Sequence, residues 1–511
     1  MARAAAGGVF LLCGAALAEE EGAACASLKD IRLADVEIAV ATAVSPDPVW
    51  KIQHPYGRGD IDVDKAFCRI EGSIEGNIGF EVWLPEKSAW TGRMLGAGVG
   101  GSAGHFNYVD MARGLRLGFA GATTDAGHKM DDKGWMLDAK IAEDFTHRAQ
   151  HLTAVAAKKI IAAYYGDEAD YSYFIGCSGG GRQALKEMQL YPSDYDGVIS
   201  GAPGPNNPVL SARHLVTALR QQANPEGSLA NEDWQLVEDH VAAVCDANDG
   251  LKDGLVENPK ACRFDFADLR CDSDKSDACL TDAQIEMAEA IYAPLEDENG
   301  KAVDKGLLAG LRARPGPAPS LILEMFGQGV HNDPDWDPQG FRVSEDVTAL
   351  HKLMPDMRAD NPDVAAFRDR GGKIILYHGW WDSSVLAQQT IDYLASVRAK
   401  LGGDVSGFMR LFMAPGVYHC SGGPGADDFG GFMKPPAVED AEHDMLRALV
   451  KWVEEGDAPE RIVATKIGDD GETRFSRPLC AFPQSARYRE GDPDDAASFD
   501  CVADPVLERD L

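Results

Sequence analysis

The segment Tyr173-Phe174-Ile175-Gly176-Cys177-Ser178-Gly179-Gly180 restricts the folds open to this chain more than any other stretch. Three strand-forming side chains run straight into a G-x-S-x-G pattern, and a helical pattern follows from about Arg182 to Leu190. A serine at such a junction sits on a sharp strand-to-helix turn with strained backbone angles. The residues two before and two after it must then be small, because the chain packs tightly against itself, and glycine has no Cβ to clash. The helix start aims backbone N–H groups at negative charge developing beside the serine. The five-residue pattern alone arises by chance, so its weight comes from the strand before it and the helix after it.

Around that junction strand and helix patterns alternate. Residues 36–40 and 78–84 have the alternation and β-branched content of strands, and Leu117 to Thr124 is a further apolar strand candidate. Residues 142–165 repeat apolar side chains on one helical face. Late in the chain, Lys373 to Tyr377 reads as a strand, 385–399 as a helix, Met409 to Met413 as a strand and 439–455 as an amphipathic helix. Such alternation implies a mostly parallel sheet covered on both faces. A G-x-S-x-G turn in that setting is the nucleophile elbow of an α/β-hydrolase fold, in which serine, acid and histidine follow in that chain order.

A catalytic serine needs a base. Strand 373–377 leads through His378-Gly379-Trp380-Trp381 to Asp382, and the last strand leads through Pro415-Gly416-Val417-Tyr418 to His419. Ser178, Asp382 and His419 are therefore the expected triad. His378 precedes the acid on a strand end and reads as structural. His443 falls inside the last helix and reads as a solvated surface group. Asp427 and Asp428 come after the histidine and break the order.

At 511 residues the chain suits one large domain with an inserted second one. Residues from about 206 to 345 hold four cysteines, many Asp and Pro residues and few strand-like runs, with Pro203, Pro205 and Pro208 at the entry. They read as a lid domain dividing the α/β-hydrolase domain into 19–205 and 346–511. Residues 1–18 read as an export signal: Arg3, an apolar run through Val9-Phe10-Leu11-Leu12, then Ala16-Leu17-Ala18 as an A-x-A cleavage site. The apolar part is too short to anchor in a bilayer. Cys13 belongs to the discarded segment, which leaves ten of the eleven cysteines, enough for five disulfides in a secreted or periplasmic protein. A formal charge of −33 excludes nucleic acid as a partner and disfavours anionic membranes.

Cys177 directly precedes the serine and Cys420 directly follows the histidine. A disulfide holds its Cα atoms roughly 4.4–6.8 Å apart, so a bridge between these two would pin both backbones and bring Ser178 and His419 within reach of each other. It would close a loop of more than two hundred residues, for which chain entropy gives roughly 4–5 kcal/mol.

Cys177-Ser178, Asp382 and His419-Cys420 together resemble the CS–D–HC signature of the tannase and feruloyl esterase family. Gly179-Gly180-Gly181-Arg182-Gln183, Asp194-Tyr195-Asp196-Gly197-Val198-Ile199-Ser200-Gly201-Ala202-Pro203, Tyr377-His378-Gly379-Trp380 and Gly422-Gly423-Pro424-Gly425 are similar too, and the resemblance extends over nearly the whole mature chain. It implies a serine carboxylic ester hydrolase acting on small aromatic, phenolic esters. The family includes feruloyl esterases, tannases, chlorogenate esterases and a bacterial mono(2-hydroxyethyl) terephthalate hydrolase. The run Gly96 to Gly104 resembles its first oxyanion loop, so that an N–H of Gly100 or Gly101 would act with that of Gly179. Family members often carry a small residue where Trp381 stands, Pro-Leu-Ile-like residues at Ser383-Ser384-Val385, and a larger polar residue at Gly179.

Cys245-Asp246-Ala247-Asn248-Asp249-Gly250-Leu251-Lys252-Asp253-Gly254-Leu255 places three carboxylates within eight residues, as a hard cation such as Ca²⁺ requires. An EF-hand is excluded, since its invariant glycine would fall at Leu251. The segment resembles the family's lid calcium site. That match implies side chains from Asp246, Asp249 and Asp253 and carbonyls from Leu251 and Leu255 around a structural Ca²⁺, far in sequence from the triad. The resemblance also implies the pairs Cys25–Cys68, Cys245–Cys262, Cys271–Cys279 and Cys480–Cys501. Two other classes share the fold: a non-catalytic binding protein, which an intact triad argues against, and a peptidase, which would need an amine-capturing site.

Overall fold

The computed structural model of the protein describes residues 20–313 and 316–511. The expected export signal, with Cys13, lies outside the described residues. The central sheet has nine strands: β1 (Val36–Val44), β2 (Phe67–Ile74), β3 (Ile78–Pro85), β4 (Arg93–Ala97), β5 (Ala120–Thr124), β6 (Tyr171–Cys177), β7 (Gly197–Gly201), β8 (Lys373–Gly379) and β9 (Met409–Ala414). Their spatial order is β1-β2-β3-β5-β4-β6-β7-β8-β9. The β1–β2, β2–β3 and β3–β5 pairs are antiparallel and every later pair is parallel. This is the α/β-hydrolase arrangement. Burial follows from it: β5 and β7 are buried at every position, whereas β1, at the antiparallel edge, alternates with solvent.

Helices α1 (Tyr108–Arg116), α2 (Ala149–Tyr165) and α3 (Gly179–Leu190) follow β4, β5 and β6 in the chain. The helix expected over 142–165 is interrupted. A short helix, Ala139–Glu143, passes into one π-helical turn, Asp144–Arg148, before α2 begins. The cause is Arg182 in α3, which is buried and donates Nη1 to the Thr146 carbonyl at 2.8 Å and Nη2 to the Phe145 carbonyl at 3.3 Å. A donor inserted into the ladder opens it into a π-turn. The nucleophile helix is thereby tied to the helix beside it.

Between Gly201 and Lys373 no described residue joins the central sheet. The insert is helical: α4 (Asn207–Ala223), α5 (Asn231–Cys245), α6 (Asp282–Tyr292), α7 (Ser320–Gly327) and α8 (Val343–Leu353). It has an apolar cluster of its own around Trp234, Val237, Phe266, Leu280, Ile285 and Ile291. The expected boundary at 345 cuts α8, whose buried face of Val343, Val347 and Leu350 continues past it.

After β8 and β9 come α9 (Ala387–Leu401) and α10 (Met445–Glu455). The last helix is shorter than expected because Asp444 caps it, accepting from Leu446 N at 2.7 Å and Arg447 N at 3.3 Å. His443 therefore lies in the turn before α10, not inside it, with Nδ1 2.8 Å from Asp440. The strand candidate from Leu117 narrows to β5, since Leu117 and Gly118 form the turn that ends α1. All five expected disulfides are formed. Among the described residues, no helix is long and apolar enough to cross a membrane.

Candidate active site

Ser178 sits between the last residue of β6 and the first of α3 with φ 59° and ψ −123°. A non-glycine residue in that region is strained by about 1–3 kcal/mol and persists only where its surroundings over-determine it. Here they do. Ser178 N donates to Gly201 O at 3.0 Å, and Arg182 N donates to Ser178 O at 2.9 Å. A Cβ on Gly176 would lie 2.3 Å from Gly180 O, so the glycine two before the serine is required. The glycine two after it is less strictly required, with its nearest contact at 3.3 Å. The tightest position is Gly181, where a Cβ would fall 2.1 Å from Gly201 O. Gly181 lies outside the five-residue pattern, and only its place in a run of three glycines signals it.

The expected oxyanion residues come together. A Cβ on Gly179 would meet Gly101 O at 3.0 Å, Val99 O at 3.2 Å and Gly101 N at 3.3 Å, so the elbow touches the loop after β4. Gln183 Oε1 accepts from Val99 N at 3.0 Å, and Asn107 Nδ2 donates to Gly98 O at 2.9 Å, which fixes that loop. Gly101 adopts φ +59°, open to glycine without cost. The Tyr56 hydroxyl stands over Gly100, 3.0 Å from where its Cβ would be, a neighbour that no sequence pattern signals.

Asp382 follows β8 and is wholly buried. Its Oδ1 accepts from Ser384 N at 2.8 Å and Val385 N at 2.9 Å, and its Oδ2 accepts from His419 Nδ1 at 2.7 Å. Burial pushes the carboxyl pKa up. The facing His419 charge and hydrogen bonds from His378 and His419 outweigh burial and hold it well below the usual carboxylate range. Burial pulls the His419 imidazole down, while the Asp382 charge and hydrogen bond raise it further, so it titrates above its ordinary 6.5. The two loops meet because Gly379 has no side chain: a Cβ there would lie 2.2 Å from Val417 O. Asp427 and Asp428 are engaged elsewhere, Asp427 with Gly422 N, Lys434 and Lys466 and Asp428 with Ala437 N.

Cys177 and Cys420 are bonded, with Cα atoms 6.1 Å apart. This bond brings the residues flanking it, Ser178 and His419, to one place. No hydrogen bond links Ser178 Oγ to His419 Nε2 within 3.5 Å. Proton-transfer contacts of this kind tighten when substrate binds.

The insert reaches the acid and histidine loops through residues that carry no motif. His214 Nε2 lies 2.9 Å from Ser384 O, and Arg312 Nη2 donates to Tyr418 Oη at 2.9 Å while pairing with Glu238. Trp381 is buried, and a Cβ on Gly310 would lie 2.6 Å from its Nε1. The bulk at Trp381 is thus matched by a residue with no side chain opposite it.

The acidic loop of the insert lies far from the triad in sequence but touches the start of the histidine loop. A hollow of about 10 Å³ is lined by Asp249, Asp253, Leu255, Glu257 and Arg477 and also by Pro415, at the start of the histidine loop. Burial together with the charges of Asp253 and Asp246 pushes Asp249 up to about 6, and burial with Asp249 and Asp253 pushes Glu257 well up. Arg477, 2.5 Å from Asp253, is the cation that faces them. The lining carries three carboxylates against one guanidinium, an excess of oxygen donors of the kind a hard divalent ion takes. The side chains do not close into a three-ligand cluster among the described residues. Asp246 Oδ1 instead accepts from Asp253 N and Gly254 N, at 3.1 Å each.

A family model described as "Tannase and feruloyl esterase" matches residues 63–312 and 325–502. An uncharacterised esterase of Xanthomonas campestris pv. campestris is 34% identical over 94% of this chain and 92% of its own length. A probable feruloyl esterase B-1 of Aspergillus terreus is 31% identical over 86% of each. Among solved structures, feruloyl esterase B from Aspergillus oryzae superposes with a TM-score of 0.87 at 28% identity, covering 94% of this chain and all of that one. The tannin acyl hydrolase of Aspergillus niger shares the fold, with a TM-score of 0.77 at 21% identity over 96% of each chain.

Two outcomes follow for catalysis. The imidazole must be neutral to accept a proton, and its pKa lies above 6.5, so kcat/KM should fall as pH drops through a midpoint above 6.5. Asp382→Asn removes the charge that raises it, so the midpoint should move down and kcat should fall about 10⁴-fold. A pH–rate profile unmoved by the substitution contradicts the pairing. Cys177→Ala with Cys420→Ala should leave a chain that folds yet loses about 10²-fold in kcat, since misplacing reacting groups by about 1 Å has that effect. Wild-type kcat in the double variant, read on 4-nitrophenyl acetate, would show that the bond does not position the pair.

Proposed function

The chain belongs to the tannase and feruloyl esterase family and is a carboxylic ester hydrolase, and from that membership we propose that it cleaves phenolic acid esters with Ser178, Asp382 and His419 as its triad. One observation carries the assignment. The serine and the histidine flank the two ends of a single disulfide, and that histidine donates to a buried carboxylate at 2.7 Å.

In this reading His419 Nε2 takes the proton of the Ser178 hydroxyl as Oγ attacks the ester carbonyl. Asp382 keeps Nδ1 protonated and stabilises the imidazolium without taking a proton itself. The tetrahedral oxyanion forms beside the start of α3, where the N–H of Gly179 and that of Gly100 or Gly101 hold it. His419 then returns the proton to the departing alcohol, leaving an acyl-serine. A water activated by the same imidazole releases the acid. The helical insert, which touches the acid and histidine loops, would cover the aromatic acyl group.

We place the mature chain outside the cytoplasm, as secreted or periplasmic. Five disulfides support this, because thiols in the cytosol are kept reduced. We also propose a structural Ca²⁺ in the insert. Side chains of Asp246, Asp249 and Asp253 and carbonyls of Leu251 and Leu255 would hold it, and it would supply charge neutralisation behind the histidine loop. The excess of carboxylates over cations there supports it.

Wild-type protein should hydrolyse at least one of methyl ferulate, methyl gallate and mono(2-hydroxyethyl) terephthalate, and Ser178→Ala should lower kcat by about 10⁶-fold. Ester cleavage that survives the substitution would remove Ser178 from the mechanism. Chelation should lower the melting temperature and added Ca²⁺ should restore it, since binding stabilises the fold by about 2.7 kcal/mol at a hundredfold excess over Kd. An unchanged melting curve would end the calcium proposal.

A further inference from the structure

His378 ends β8 one residue before its last position and is wholly buried. Its ring is held at both nitrogens. Nδ1 lies 2.8 Å from Thr390 Oγ1 in α9, and Nε2 lies 2.9 Å from Val385 O. Nε2 also lies 3.2 Å from Asp382 Oδ2. A carbonyl and an ionised carboxylate only accept, so the nitrogen between them carries the proton; it donates to Val385 O, and Asp382 Oδ2 stands beside the same N–H. In the neutral ring Nδ1 then accepts from the Thr390 hydroxyl.

Asp382 Oδ2 therefore accepts from His419 Nδ1 at 2.7 Å and has His378 Nε2 beside it at 3.2 Å. Its other oxygen is filled by two backbone amides. A histidine that only filled space at this strand end would be satisfied by Thr390 and Val385. The third contact reaches the acid itself.

We propose that His378 is a positioning residue for ester hydrolysis, donating to Asp382 Oδ2 so that the carboxylate keeps its rotamer toward His419 and divides its negative charge between two imidazoles. The inference rests on the triad proposed above. Other groups face this arrangement and stay in place in the variants below. They are the Tyr377 phenol from β8 with buried Arg113 and Asp110 behind it, Asp444 paired to Arg113, and His214 against Ser384 O. Without the His378 donor, the full charge of Oδ2 falls on His419 and raises its pKa, and the carboxylate loses one of its restraints.

The test compares His378→Leu with His378→Gln, whose amide nitrogen reaches toward the place of Nε2 and keeps a donor for the acid. Folding is checked by melting temperature, and kcat and KM are measured across pH on 4-nitrophenyl acetate. The leucine variant should lose roughly 10–100-fold in kcat, the range typical of outer-shell hydrogen bonds to functional groups, at unchanged KM. Its acid limb should move to higher pH. The glutamine variant should recover the position of the limb and most of kcat. A folded leucine variant with wild-type kcat and limb, or equal impairment of both variants, overturns the proposal. If the leucine variant does not fold, Thr390→Val decides by freeing the ring at Nδ1: a lower kcat with the limb moved the same way supports the role, and an unchanged profile overturns it. Ser178→Ala run alongside separates the two readings, since activity surviving it removes the triad whatever His378 does.

Discussion

The bond between Cys177 and Cys420 joins two parts of the chain 243 residues apart. On one side it ends a strand that delivers a serine in a strained turn. On the other it begins the return of a loop whose preceding residue is a histidine. Ser178, next to one end of the bond, has φ 59°, and Cys420, the other end itself, has φ 64°. Two awkward backbone positions are therefore held close to each other. The glycines around them serve the same end. Gly181 lies against Gly201, Gly179 against the loop of Val99 to Gly101, and Gly379 against Val417. Each close approach places a backbone where a side chain would otherwise stand.

Around that link the acid is fully committed. Asp382 has no exposure, and both its oxygens accept hydrogen bonds, one from its own turn and one from the histidine loop. A carboxylate so provided stays ionised despite burial. It can hold the imidazole in one tautomer and orientation through the reaction. The insert bears on the same region from outside, through His214, Gly310 and Arg312, and its acidic loop meets the histidine loop at Pro415. The insert is thus in direct contact with the loops that hold the acid and the base.

Much of this is legible in the residues, and for identifiable reasons. The elbow shows because strand, turn and helix signals are local and consecutive, and the acid and histidine show because the fold imposes their order. Boundaries set by single side chains do not show. Arg182 opens a helix that hydrophobic periodicity reads as continuous, and Asp444 starts α10 later than its apolar face suggests. The insert boundary at 345 misplaces α8, since proline and aspartate content marks where a segment begins better than where its helix packing ends. His378 reads as structural because sequence reveals its strand-end position and not the direction of its Nε2.

The central claim is that one disulfide brings Ser178 and His419 together as reacting groups. It is tested most directly by covalent trapping with diethyl 4-nitrophenyl phosphate, followed by non-reducing proteolysis and mass spectrometry. The account predicts one phosphoryl group per chain, on Ser178, in a peptide linked through Cys177 to the fragment that carries His419 and Cys420. It further predicts that mild reduction of that bond slows the labelling. A label on another residue, or trapping at the same rate with Cys177 and Cys420 shown to be reduced, would contradict it.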